Sequence, residues 1–154
     1  MRLVTHIVFA LGVVSASSRM LGLDLYRVLI LWGLTVVQHH LVDRLSHEVG
    51  HRRRTPLFHS PTGIIALSSA LALIAPLFDV ESRYSYIWLL KFFLLLLLSG
   101  FTHLMLDALN PGGVYFRGRR VRLSRIHYDD PLANAFFQLI GALLVIYSMY
   151  PGLW

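Results

Sequence analysis

The chain has no cysteine, one lysine (Lys91) and eight acidic residues in 154, and charged residues make up only 14% of it. Without cysteine there is no disulfide framework and no thiolate site, so any metal must be held by His, Asp and Glu. That donor set favours Zn²⁺, with Mn²⁺ or Fe as alternatives, over Cu(I) or iron–sulfur chemistry. The scarcity of charge excludes an ordinary soluble surface, for which about 25% charged residues is usual. What fills the chain instead is hydrophobic, 56% of all residues, with mean hydropathy +0.62. This is the composition of one membrane-embedded domain, residues 1–154. The formal charge of +6 is carried almost entirely by arginine. In a membrane protein such a bias reports topology and affinity for anionic head groups, and no nucleic acid partner is expected.

Taken in order, the sequence predicts an all-α integral membrane bundle of about five helices, near residues 3–17, 22–49, 61–78, 84–109 and 131–150. The first is apolar from Leu3 to Val14 and ends in Ser-Ala-Ser-Ser. It reads as a short retained helix, with a signal peptide as the alternative. Leu23–Val42 is long enough to span, and Asp24 and Arg27 at its start are three apart and able to neutralise each other. Pro61 suits the first turn of helix three. Lys91 lies close enough to the start of helix four to snorkel. Asn110-Pro-Gly-Gly stops that helix, Arg117 to Arg125 is a basic loop with the alternation of a short hairpin, and Asp129-Asp130-Pro131 is a helix start. Trp154 and the nearby tyrosines fit an interfacial belt.

Five antiparallel helices alternate direction, and that alternation sorts the polar residues. His6, Asp43, His47, His51, His59, His103, Asp107 and His127 fall on one side of the membrane, with His39 and His40 slightly deeper. Ten of the fourteen basic residues lie on that side: Arg2, Arg44, Arg52, Arg53, Arg54, Arg117, Arg119, Arg120, Arg122 and Arg125. By the positive-inside rule the histidine side is cytoplasmic.

His103-x-x-x-Asp107 places an imidazole and a carboxylate on one helix face, able to reach one metal ion. Asp43-x-x-x-His47 at the end of helix two is its mirror. Facing each other, the two pairs could hold one or two divalent ions. His6 and His59 are further ligands at the same level, and His40 and His51 are accessory candidates. A capped or water-bound interfacial histidine is the plain alternative for each taken singly.

The stretch His51-Arg-Arg-Arg-Thr-Pro-Leu-Phe-His59-Ser60 and the stretch Gly100-Phe-Thr-His103-Leu-Met-Leu-Asp107-Ala-Leu-Asn110-Pro-Gly-Gly-Val114, with His6 and Asp43…His47-Glu48, resemble the membrane-bound metal-dependent hydrolase family. Those small inner-membrane proteins carry a His-Arg-Gly-x-Thr-His-Ser core and a later Ser-His-x-x-x-Asp-x-Leu-Thr-Pro-x-Gly-Val motif, and are distantly similar to zinc-dependent phospholipase C. The chain departs from the pattern at His39-His40-x-x-Asp43, where Asp-x-Asp-His is usual, at Phe58 for Thr and at Asn110 for Thr. The first departure bears on how many ions bind. The resemblance implies phosphoester hydrolysis at a metal cluster.

Two functions follow as expectations. One is a metal-dependent hydrolase acting on a phosphorylated, lipid-like substrate at the bilayer surface. Arg52, Arg53, Arg54, Arg117 and Arg119 would hold phosphate and Glu48 would be the candidate general acid. The other is a non-catalytic scaffold or complex subunit whose metal is structural or absent. Haem ligation is disfavoured by the carboxylates, which suit a harder ion.

Overall fold

A computed structural model of the chain describes residues 1–46, 55–78 and 86–150. It is a helical bundle built from α1 (Leu3–Met20), α2 (Leu25–Ser46), α3 (Pro61–Ile74), α4 (Tyr86–Ala108) and α5 (Pro131–Met149), with a two-stranded hairpin, β1 (Val114–Phe116) and β2 (Arg119–Val121), between α4 and α5. Four of the helices are long and apolar enough to cross a membrane, and α3, extended by the 3₁₀ turn Ala75–Leu77, is shorter. The protein is a helical membrane protein.

The starts of α3 and α5 follow the expected chemistry. Ser60 and Asp130 are their N-caps, accepting from the backbone N–H of Gly63 and of Ala133, with Pro61 and Pro131 at the first helical position. Asp24 pairs with Arg27, and Lys91 reaches up to donate to the Leu21 carbonyl. The basic loop is a hairpin. Its two-residue turn, Arg117-Gly118, has both φ angles positive, 49° and 73°, which fits a two-residue turn of the I′ kind.

Direction can be read from which side chains share a layer. Leu31 and Leu34 of α2 meet Phe92, Leu95 and Leu96 of α4 in one cluster, and Val42 meets Leu104 in another, so α2 and α4 run parallel. Ile64 of α3 belongs to the second cluster and Leu71 to the first, so α3 runs against them. The helix α1 also runs against α2 and α4: Val14 joins the first cluster, while His6 lies on His103. Thr5, Phe9, Gly12 and Arg19 of α1 meet Asn134, Phe137, Gly141 and Tyr147 of α5 in that order, so those two helices are parallel. Alternation therefore holds through the bundle.

The helix α1 runs to Met20, three residues beyond the expected end, and packs against α2, α4 and α5. A segment so placed is part of the bundle core. Its approach to α5 is close because a Cβ at Gly12 would stand 2.3 Å from the Gly141 carbonyl oxygen, and one at Gly141 would stand 2.4 Å from that of Val8. Outward, α5 shows Leu132, Phe136, Leu139, Leu143 and Ile146, a stripe at helical spacing with bilayer as its solvent. Inward lie polar residues: Thr5, Ser15, Ser18, Gln38, Ser68 and Asn134 are all buried. Asn134 accepts from the Thr5 hydroxyl (2.6 Å) and the Arg2 amide (3.1 Å), and donates to the carbonyls of Tyr128 and Asp130. Such bonds hold helices together where lipid offers polar groups no alternative.

Candidate metal centre

Three histidines from three parts of the chain converge on one carboxylate. The Nε2 atoms of His6 (α1), His59 (before α3) and His103 (α4) lie 3.3, 2.8 and 3.3 Å from the oxygens of Asp107. The four side chains are between 0 and 3% exposed. His103 and Asp107 are one helical turn apart, as their spacing predicts. Ser60 caps α3 and the Tyr115 N–H donates to the His59 carbonyl at 2.8 Å, which ties the loop carrying His59 to the hairpin. Asn110 does more than end α4: its amide donates to Asp107 Oδ1 at 3.2 Å.

A second group shares a member with the first. Asp43, His59 and His103 offer ligand atoms within 4.8 Å of one another, as do His6, His103 and Asp107. Asp43 is half-buried, so among the described ligand candidates it marks the side on which the cluster meets solvent.

One buried histidine close to the cluster was not among the expected ligands. His39, not His40, is the buried one of the adjacent pair, and His40 is exposed. The ring of His39 lies 5.0 Å from that of His103. Its Nδ1 is 3.0 Å from the Thr35 carbonyl, and a carbonyl can only accept, so Nδ1 carries the proton. That leaves a lone pair on Nε2, which is buried with no hydrogen-bond partner. A histidine whose second nitrogen is anchored to a backbone carbonyl is in the state in which histidines bind metals.

His39 also exposes a repeat. Thr35-x₃-His39-x₃-Asp43 on α2 has the same order and spacing as Ser99-x₃-His103-x₃-Asp107 on the parallel α4. The two helices thus present a hydroxyl, an imidazole and a carboxylate on successive turns in the same direction. Both hydroxyls are buried and lack a hydrogen-bond partner. The expected symmetry was a mirror through His47. The pair that matches His103–Asp107 in direction is His39–Asp43, a translation along parallel helices. The repeated pattern was present in the sequence and would have singled out His39.

The residues suit a divalent ion. Two ligand atoms about 2.0–2.1 Å from a tetrahedral ion stand about 3.3 Å apart, near the separations from Asp107 of His6 and His103. Hydrogen bonds to a carboxylate would give similar distances. They would not explain why the Nδ1 atoms of His6 and His103 and the Nε2 atom of His39 are buried without hydrogen-bond partners. Buried polar atoms are rarely left so, and a cluster of them marks a ligand or bound water.

Of the other expected site residues, Arg117 and Arg119 are exposed on the hairpin, with the Arg117 guanidinium over the Phe116 ring. His127 is exposed and paired with Asp129. His47, Glu48, His51, Arg52, Arg53, Arg54 and Trp154 lie outside the described residues.

No curated protein and no solved structure matches the chain. A family described as "Protein of unknown function (DUF1286)" matches residues 1–106, which include His6, His39, Asp43, His59 and His103. The chain belongs to that family.

Proposed function

We propose that this DUF1286 chain is a membrane-bound metal-dependent hydrolase that acts on a phosphoester of a lipid-like substrate at the cytoplasmic face. One observation carries the reading: His6, His59 and His103 converge on Asp107, with Asp43 beside them, at one end of the helical bundle. The resemblance of Gly100–Val114 to the membrane-bound metal-dependent hydrolases supports it. The donors are hard or borderline, so one or two ions are to be expected, Zn²⁺ before Mn²⁺ or Fe.

An ion held there would supply Lewis acidity toward a phosphoryl oxygen and acidify bound water. The chain itself does the rest. His6, His59 and His103 present nitrogen donors, Asp43 and Asp107 present carboxylates, and Asn110 keeps Asp107 in register. Arg117 and Arg119, exposed on the hairpin tied to the His59 loop, would meet phosphate. Glu48 remains the candidate general acid, with Arg52, Arg53 and Arg54 as further phosphate ligands.

The near-complete burial of His59, His103 and Asp107 favours a second reading, a scaffold with a structural ion. Structural sites are closed by protein ligands, whereas catalytic ones keep a position for water. Purified protein should contain a divalent metal, show no haem band, and release phosphate or head group from a lipid panel with added Zn²⁺ or Mn²⁺. His103→Ala should remove both metal and turnover while membrane insertion persists. Metal without turnover on any phosphorylated lipid would favour the scaffold with a structural ion, and no metal at all would sink the hydrolase and leave a scaffold without one.

A further inference from the structure

Two hollows adjoin on the flank of the cluster, and they differ in kind. The larger, about 610 Å³, lies between α4 and the hairpin and is lined by apolar side chains, chiefly Leu98, Phe101 and Met105 of α4 and Val114, Phe116 and Val121 of the hairpin. The smaller, about 260 Å³, holds Ser60, Thr62 and Arg117. Pro61, Tyr115 and Phe116 belong to both. Sharing three wall residues, the two hollows set an apolar stretch along a membrane-spanning helix beside a polar end with a guanidinium, and we read them as one trough.

The trough runs beside the cluster on two elements. Thr102 and Ala108 of its wall are chain neighbours of His103 and Asp107, and Pro61 is two residues from His59. Its outer wall is fixed in place. The Tyr115 N–H donates to the His59 carbonyl at 2.8 Å, and the Leu123 N–H donates to the Ala108 carbonyl at 2.8 Å. Gly113 makes the entry to the hairpin tight: φ is +61°, and a Cβ there would stand 2.5 Å from the Val121 carbonyl oxygen. From Leu98 to Ala108 the floor of the trough extends along α4 for about 15 Å at the rise of an α-helix. Arg119, Arg120 and Arg122 are exposed on the same hairpin as Arg117.

An apolar stretch parallel to the bundle axis, ending at the Thr62 hydroxyl and the Arg117 guanidinium, has the complement of one molecule: an amphiphile with a hydrocarbon tail and an anionic head. We infer that the trough binds one acyl chain of an anionic phospholipid, with the head-group phosphate at the Arg117 guanidinium. The arginines decide the occupant, since an apolar peptide would leave them unmatched and a phosphate accepts guanidinium hydrogen bonds in pairs. Lipid on the outward face of α5 meets only apolar side chains and is not held in this way. The inference names the substrate class of the reading above, and rests on that reading only for the step from bound lipid to substrate.

Photolabelling tests it without turnover or metal. Full-length protein, stripped of metal by chelation, is placed in phosphatidylcholine nanodiscs with a trace of phosphatidic acid carrying a diazirine on its acyl chain. After irradiation, label should concentrate in peptides covering 98–108 and 114–123 relative to α5. Met105→Trp, which fills the trough, should lower that labelling several-fold and leave α5 labelling unchanged, so the α5 signal reports intact insertion. Leu98→Trp serves as the second filling variant should Met105→Trp fail to insert. Arg117→Gln should lower labelling by the phosphatidic acid probe but not by a diacylglycerol probe of the same chain. Equal labelling of α4 and α5, or no response to either filling variant, would overturn the inference. Selective labelling of a protein that holds no metal and turns over nothing would leave the trough in place and remove the hydrolase.

Discussion

His39 of α2 and His103 of α4 stand with rings 5.0 Å apart on parallel helices, each one turn from a carboxylate on one side and from a buried hydroxyl on the other. The first prediction concerns how they divide the labour. His103 lies in both groups of potential ligands, so His103→Ala should reduce bound metal to background. His39→Gln keeps the volume but changes the donor, and should weaken metal binding by about 10–100-fold, the range for residues that orient a site. Titration with Co²⁺, followed by its visible absorption, reads both. Wild-type affinity in the His39 variant would make the lone pair on its Nε2 irrelevant to the ion.

The bundle was legible in the sequence because each helix is an apolar run closed by punctuation that acts locally: Ser60-Pro61, Asn110-Pro-Gly-Gly, Asp130-Pro131. The His103–Asp107 pair was legible for the same reason, since a four-residue spacing is a statement about one helix. That His6 and His59 lie at the level of Asp107 followed only from counting helices; that both reach its carboxylate is seen only in the fold. His39 was hidden by its neighbour. Spacing back from Asp43 put His40 on the same face, yet three and four residues both return to one face of a helix, and packing against α4 chose the four-residue partner. The trough could not be read at all, because it is made by folding a hairpin back onto a helix.

The closest helix contact makes a prediction about stability. Gly12→Ala should destabilise the protein by about 1–3 kcal/mol, because overpacking against backbone cannot be relieved by a side-chain rotation. Gly33, inside α2, has nothing within 4 Å of its position for a Cβ. Gly33→Ala should therefore leave stability unchanged or raise it by up to about 1 kcal/mol through helix propensity alone. Thermal or denaturant unfolding in detergent compares the two, and equal effects would mean that α1 and α5 do not meet at Gly12 and Gly141.

Asn134 offers a test of the polar seam between the same helices. Asn134→Leu retains the bulk but strands the Thr5 hydroxyl and the Arg2 amide, and should cost about 1–3 kcal/mol, the range for a buried polar group left unpaired. Thr5→Val in the same background should then cost less than it does alone, since the acceptor of its hydroxyl is already gone and only the bond from Gln138 Nε2 remains to be lost. Additive losses in the double variant would break the link.

At the surface, the His127 ring beside Asp129 holds that carboxyl below the usual carboxylate range. The group is exposed, so the effect belongs to a local pair and not to the bundle. Its sign is fixed: a carboxylate depressed in the folded state stabilises above its unfolded value, and the contribution fades as pH falls through the folded one. NMR titration of Asp129 should show the low value, and His127→Ala should return it toward that of a free side chain. A titration indifferent to His127 would remove the pair.

The last prediction is the side on which the C-terminus emerges. Four helices among the described residues are long and apolar enough to span, and an even count would bring both ends of the chain to one side. The helix α3 decides the matter. Its fourteen residues rise about 21 Å and the 3₁₀ turn after it adds about 6 Å, close to the hydrocarbon thickness of about 30 Å. Shared layers point the same way: Ile64 lies at the level of Val42 and Leu104, and Ala75 at the level of Leu31 and Phe92, so α3 covers most of the distance that α2 and α4 cover. Five crossings with the arginine-rich end inside would put the N-terminus and the histidine cluster in the cytoplasm and the C-terminus outside. An alkaline phosphatase fusion after Tyr150 should be active and a fluorescent-protein fusion there dark, with the reverse for fusions placed between α2 and α3. A cytoplasmic C-terminus would make α3 re-entrant, and would leave the cluster on a side that the arginines alone no longer fix.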